Sequence, residues 1–191
     1  LGAFLIVLGL MTFVGVFGIR QMGAMHAGEE ELDTDHIPTM KVLADVRGVA
    51  HQYRARQLAY LISAQQGELD EKGLAEGRAN MVKVLAAYDG LTIDAADRTF
   101  FDGVRGSWDA YLAAESAVLD LARQKQVDQA SRAALGPLAE KHGEVIRKIN
   151  EHIEYENRNT NQQIEESGAL FQTGRVWMIG VLVGAFAIGI L

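Results

Sequence analysis

From Leu138 to Leu191 the chain runs without a proline, and one set of positions recurs at helical spacing: Leu138, His142, Val145, Ile149, Ile153, Glu156, Thr160, Ile164 and Phe171. At about 1.5 Å per residue, the part up to Arg175 predicts a helical rod of roughly 55 Å. The same helix then changes solvent. Its last 16 residues, VWMIGVLVGAFAIGIL, carry no charged or strongly polar side chain. A helix crossing hydrocarbon requires that composition, and a water-exposed helix avoids it. A rod built this way can carry a small displacement from one side of a bilayer to the other.

The distribution of charge supports the same division. All 18 Lys/Arg and all 25 Asp/Glu lie between Arg20 and Arg175, so two apolar ends bracket one acidic domain. The net charge of −7 argues against a nucleic-acid partner, because phosphate binding needs a basic field. The chain has no cysteine, which removes disulfides and thiolate metal sites. Only 2 prolines in 191 residues, with few β-branched runs, predict an all-α fold.

Leu1 to Ile19 would span about 28 Å as a helix, close to the hydrocarbon thickness. A secretory signal peptide fits less well: the run is long, no basic segment precedes it, and MGAMHAG is a poor cleavage site. The expected division is a first transmembrane helix at 1–19, a water-exposed domain at 20–175 and a second, truncated transmembrane helix at 176–191. The chain starts without Met and stops inside an apolar run, which reads as a piece of something longer.

Inside the domain, Asp35 and Pro38 mark a helix start. From Pro38 to about Ala64, Val42, Leu43, Val46, Val49, Ala50, Tyr53, Gln57, Tyr60 and Leu61 share one arc. After Gln65–Gly67 a second helix is expected from Glu68 to about Tyr88, with Leu69, Ala75, Val82, Leu85 and Ala86 inward. Asp94 can cap a third, Ala95 to about Gln124, whose inner face holds Phe101, Val104, Trp108, Leu112, Leu119 and Ala122. A turn near Gln126 leads into the fourth. Connections this short force neighbouring helices to be antiparallel. The expectation is an up-down-up-down four-helix bundle flanked by two transmembrane helices.

An N-terminal span, HIPTMKVLADVRGVAHQYRARQLAYL, two further helices, and NEHIEYENRNTNQQIEESGALF running into a second span resemble the four-helix-bundle sensor module of bacterial methyl-accepting chemotaxis proteins. The same module stands in front of histidine kinases and diguanylate cyclases. The resemblance implies a homodimeric sensor in the bacterial inner membrane, with its bundle on the periplasmic or extracellular side and a small solute bound near the distal end. It also implies a piston-like shift of the second span, read by a cytoplasmic kinase complex through a further C-terminal part. The alternatives are an enzymatic output behind the same sensor, or a helical membrane tether that senses nothing.

The candidate ligand residues are Arg47, His51, Tyr53, Arg54 and Trp108. Arg47 and Arg54 lie seven apart on one margin of the first-helix arc, with His51 between them, and Arg56 lies on the other margin. A guanidinium matches a carboxylate through paired hydrogen bonds, so an organic anion is the expected solute. Receptors of the resembled family use first-helix arginines at the dimer interface, and Arg54 is the best positional match, although their fuller arginine set is not reproduced. Trp108 and Tyr111 could wall a pocket or simply fill the core. Arg78 and Glu115 fall at the level of Arg54, and a carboxylate on the inner arc demands a partner. Either Arg54 or Arg78 could supply it.

Enzyme chemistry finds no support in the sequence: no G-x-S-x-G, P-loop or dinucleotide fingerprint occurs. No Glu has His three residues on, and the five histidines include no pair four apart, so neither a metal nor another cofactor is expected. Past Ile153 the inner arc carries Glu156, Thr160, Gln163 and Ser167, polar layers that weaken packing and mark either a seam able to slip or the hydrated base of a splayed bundle.

Overall fold

The computed structural model describes residues 2–31, 36–91 and 94–190. Helices α1 (Gly2–Glu31), α2 (Ile37–Gln65), α3 (Glu71–Asp89), α4 (Ala95–Arg123), α5 (Val127–Leu135) and α6 (Pro137–Ile190) account for nearly all of them, with no strand among the described residues. The chain divides into two compact units, one of Asp35–Asn157 and one of Leu1–Thr34 with Arg158–Leu191.

The first unit is a four-helix bundle. Pro38 sits in the first turn of α2, where its missing N–H would have no helical acceptor. Asp35, the other expected start signal, lies outside the described residues. The buried face of α2 holds Leu43, Val46, Ala50, Tyr53, Gln57, Tyr60 and Leu61. Gly67 then adopts φ +85°, and the N–H groups of Gly67 and Glu68 return to the carbonyls of Ala64 and Ser63 at 3.1 and 3.0 Å. This closes the helix by the left-handed turn that glycine tolerates best.

The second bundle helix, α3, departs from expectation in start and in face. It begins at Glu71 because Asp70 caps it, accepting from the Gly73 N–H at 2.9 Å. Its buried residues are Leu74, Gly77, Met81 and Tyr88. Leu69 and Val82, expected inside, are 43% and 66% exposed, and Ala75 and Ala86 also face outward. The cause is steric: a Cβ on Gly77 would stand 2.6 Å from the Tyr53 ring. The large α2 aromatic selects the one glycine that lets it approach, and that contact sets the rotation of α3.

The α4 helix matches its pattern. Asp94 accepts from the Asp97 N–H at 2.7 Å, and Phe101, Val104, Trp108, Leu119 and Ala122 are buried. The fourth helix is interrupted instead of continuous. α5 packs on α4 and α2, then the chain bends at Gly136 (φ −102°, ψ −105°) and Pro137 opens α6. A proline N cannot donate to the carbonyl four residues back, so a new helix starts there. Leu138, Val145, Ile149, His152 and Glu156 are the buried residues of α6 in this unit.

In the second unit, α1 continues as helix well past Ile19. The Gln21 side chain donates to the Leu170 carbonyl, and a Cβ on Gly174 would lie 2.9 Å from the same glutamine. Large apolar side chains stand exposed on both helices, including Phe13, Val16, Ile19, Val176, Trp177, Leu182 and Phe186. The C-terminal helical stretch Val127–Ala187 contains an 18-residue window apolar enough to cross a membrane by length and composition. Ile164 and Phe171, expected inward, are 54% and 47% exposed, while Thr160, Gln163 and Ser167 are half-buried.

Candidate functional site

Two polar clusters interrupt the apolar core of the bundle. The first is built around Glu115 of α4, which is fully buried and would be costly there without donors. Three donors reach it: the Tyr53 hydroxyl at 2.6 Å, the Arg78 guanidinium at 2.8 Å and the Gln57 amide at 3.2 Å. The Arg78 Nε–H also donates to the Tyr53 oxygen at 2.8 Å. The Tyr111 hydroxyl donates to Gln57 Oε1 at 3.0 Å, which makes one connected network across α2, α3 and α4. Burial and the neighbouring Glu115 push the Tyr53 phenol far above its ordinary range and Tyr111 up to about 12. Both therefore remain donors at any physiological pH.

Arg54 stands beside this network and is not paired with Glu115. Its guanidinium donates to Gln57 Oε1 and, at 2.6 Å, to the Ala134 carbonyl of α5. It makes no ion pair among the described residues, and its side chain is half-buried. Ala134 also lines a cleft of about 250 Å³ between α2 and α5, with Leu58, Leu61, Ile62, Gln65, Ser131 and Leu135. The cleft is apolar apart from Gln65 and Ser131, and Arg54 is linked to it through the Ala134 carbonyl without lining it.

The other sequence candidates divide. Tyr53 is fully buried and Trp108 nearly so; their rings meet edge-on at 5.1 Å, and Trp108 stacks on Tyr111 at 5.4 Å. They support the Glu115 network from inside and present no surface to solvent. Arg47 is exposed, 3.5 Å from Asn150 Oδ1. His51 is exposed and tilts against His142 of α6 at 5.4 Å. Burial, His51 and Arg54 hold the His142 imidazole below its ordinary range. The structure thus brings Arg54, Tyr53 and Trp108 to one level and leaves Arg47 and His51 along the α2–α6 seam.

The second cluster escaped the sequence reading. At the other end of the bundle, His152 and Glu156 of α6 meet Asp97 of α4 and His36 at the head of α2, all at most 7% exposed. His152 Nε2 bonds to Asp97 Oδ1 and lies 3.7 Å from Glu156 Oε1. His36 Nδ1 holds the other Glu156 oxygen at 2.7 Å, and the Tyr88 hydroxyl donates to Asp97 at 2.6 Å. Burial opposes charge on His152, but Asp97 and Glu156 outweigh it and raise its pKa. Burial likewise opposes charge on Asp97, and hydrogen bonds from His152 and Tyr88 hold its carboxyl below the usual range. The signal was in the sequence as His-x-x-x-Glu, one helical turn apart; the third and fourth members come from other helices.

The described residues of the bundle thus form antiparallel helices around an apolar core with two buried polar clusters. The sequence bears this out: the family described as a four helix bundle sensory module for signal transduction matches residues 1–171, and the chain belongs to it. That family serves signal transduction, not catalysis. No curated protein and no solved structure matches the chain.

Proposed function

We propose that the chain is the sensor of a transmembrane receptor, with its bundle outside the bacterial inner membrane, and that it binds a small organic anion in the α2–α5 cleft. The observation that carries this reading is the state of Arg54. Arg78 serves the buried Glu115, and the acceptors Arg54 meets among the described residues, Gln57, the Ala134 carbonyl and Tyr111, are neutral. A solute carboxylate is the group a guanidinium in that position would take, with paired charge-assisted hydrogen bonds. The apolar lining of the cleft suits the remainder of a small acid or an amino acid.

The exposed apolar side chains of α1 and of the end of α6 are the kind that hydrocarbon covers. In this reading both helices span the membrane, the module works as a homodimer, and α6 transmits a shift of the bundle to a cytoplasmic signalling domain. A thermal-shift screen of the full chain in detergent against organic acids, amino acids and aromatic acids tests it, repeated on Arg54→Ala. At one hundred times its dissociation constant a binder adds about 2.7 kcal/mol, a shift of several degrees. One class of anion is expected to stabilise the wild type and not the variant. Screening without any shift of the wild type would remove direct small-molecule sensing.

A further inference from the structure

We propose that Asp97, His152 and Glu156 form a binding site for a divalent first-row transition-metal ion of the zinc type, positioned by His36. Asp97 Oδ1, His152 Nε2 and a Glu156 carboxylate oxygen all lie within 4.8 Å of one another, and all three residues are buried. Around a zinc ion with ligands at about 2.0–2.2 Å, neighbouring donor atoms stand about 3.4 Å apart. The 3.7 Å between His152 Nε2 and Glu156 Oε1 is already close to that spacing. His152 and Glu156 reach it because they sit one turn apart on α6, and Asp97 reaches it because the Asp94 cap fixes the first turn of α4.

The hydrogen bonds present leave this set unbalanced. The one N–H that His152 Nε2 can carry bonds Asp97 Oδ1, and Glu156 Oε1 at 3.7 Å faces the same nitrogen beyond hydrogen-bond reach. The other nitrogen of His152, Nδ1, and His36 Nε2 are buried with no hydrogen-bond partner among the described residues. Two carboxylates and two imidazoles in a dry site are a donor set that a divalent ion neutralises, whereas an apolar core avoids it. One imidazole with two carboxylates favours zinc, manganese, iron, cobalt or nickel over calcium and magnesium, which take oxygen shells.

The surroundings fit a bound ion. His36 holds the Glu156 oxygen that faces away from His152, the second-layer contact that fixes a ligating carboxylate. Phe100 stacks near His152 at 5.7 Å, and Tyr88 and Phe101 stack on each other beside it. These rings exclude water, and three protein ligands leave one coordination position open. The ion would tie the start of α4 to α6 directly and to the head of α2 through His36. Metal occupancy would then set how tightly the helices close at this end of the bundle, independently of any anion held by Arg54.

The full chain, purified in detergent and stripped with chelator, is titrated with Co²⁺ and followed by its visible d–d absorption, with Zn²⁺ as competitor. One Co²⁺ per chain is expected, displaced by one Zn²⁺, with Mg²⁺ and Ca²⁺ ineffective. Asp97→Asn keeps the size and the bond to Tyr88 and should weaken Zn²⁺ by more than a hundredfold. His36→Gln should weaken it about 10- to 100-fold, and His26→Gln should leave it unchanged. Absence of a d–d band in the wild type overturns the proposal, as does undiminished Zn²⁺ affinity in Asp97→Asn. Should that variant fail to fold, X-ray absorption of the wild-type zinc complex decides: mixed nitrogen and oxygen ligation supports the site, and a shell of oxygen alone or a surface pair of imidazoles rejects it.

Discussion

Glu115 shows what one residue can impose on a bundle. Its carboxylate has no solvent of its own, so Tyr53, Gln57 and Arg78 from two other helices turn toward it. The Arg78 side chain is 43% exposed, so the full cost of breaking a buried ion pair does not apply. Arg78→Met should destabilise the domain by about 1–3 kcal/mol, the cost of an under-satisfied buried acceptor. Adding Glu115→Gln should recover part of that loss, with a coupling energy of about 1–2 kcal/mol in melts followed by helix circular dichroism. Simple additivity would mean that the two side chains do not serve each other. The sequence placed Arg78 and Glu115 at one level; it could not choose between Arg54 and Arg78 because that depends on which face α3 presents.

A second residue-scale effect is the network of Glu71, Tyr60 and Arg123 near the α2–α3 turn. Arg123 holds the Glu71 carboxyl below its ordinary range against partial burial, and Tyr60 adds to the effect. The folded state therefore binds this proton less tightly than the unfolded chain. The resulting stability is present above the usual carboxylate range, about pH 4.3, and is lost as pH falls through it. Burial and Glu71 raise Tyr60 to about 12, so its contribution is present below the ordinary phenol value, about pH 10, and is lost as pH rises from there through about 12. Glu71→Gln should flatten the fall in melting temperature between pH 5 and 3. A profile parallel to the wild type would show that the network contributes nothing.

At the scale of the element, the helices differ in how far their pattern could be read. α2 and α4 carry one strong apolar face each, and that face is the buried one. The buried face of α3 includes Gly77, which apolar periodicity does not mark; the Gly77–Tyr53 contact does. The break between α5 and α6 was present as Gly136–Pro137, two residues that seemed innocuous beside a long apolar repeat. Gly77→Ala should be destabilising although alanine gains about 1 kcal/mol in a helix interior, because the new methyl overpacks against a ring held at its hydroxyl, at about 1–3 kcal/mol. Gly48→Ala, with nothing within 4 Å of the added Cβ, should stabilise by about 0.5–1 kcal/mol. The same melts check both, and a stabilised Gly77→Ala would contradict the account of α3.

At the scale of the molecule, two polar clusters interrupt the apolar core, one near the middle of α2 and one at its head, and each joins α2 to α4, with α6 a member of the second. Residues on separate helices cannot be assigned to one site from spacing alone, so Asp97, His36 and His152 were not legible as a set. The all-helical bundle was legible, since two prolines in 191 residues and short connections between long helical stretches leave few other arrangements. What a sensor adds to a bundle is motion of one helix against the rest. On α6, Glu156 is buried and held by His36, whereas Thr160, Gln163 and Ser167 beyond it are half-buried.

Because the chain lacks cysteine, one spin-label pair can be introduced cleanly at Gly48 of α2 and Gly143 of α6, where an added Cβ meets nothing within 4 Å. Pulsed electron resonance on the full chain in nanodiscs would then report the α2–α6 distance with and without the anion that stabilises it. A change in mean distance of about 1–2 Å, the scale of helix shifts in switching proteins, that vanishes in Arg54→Ala is the predicted result. An unchanged distribution at saturating anion would contradict transmission through α6.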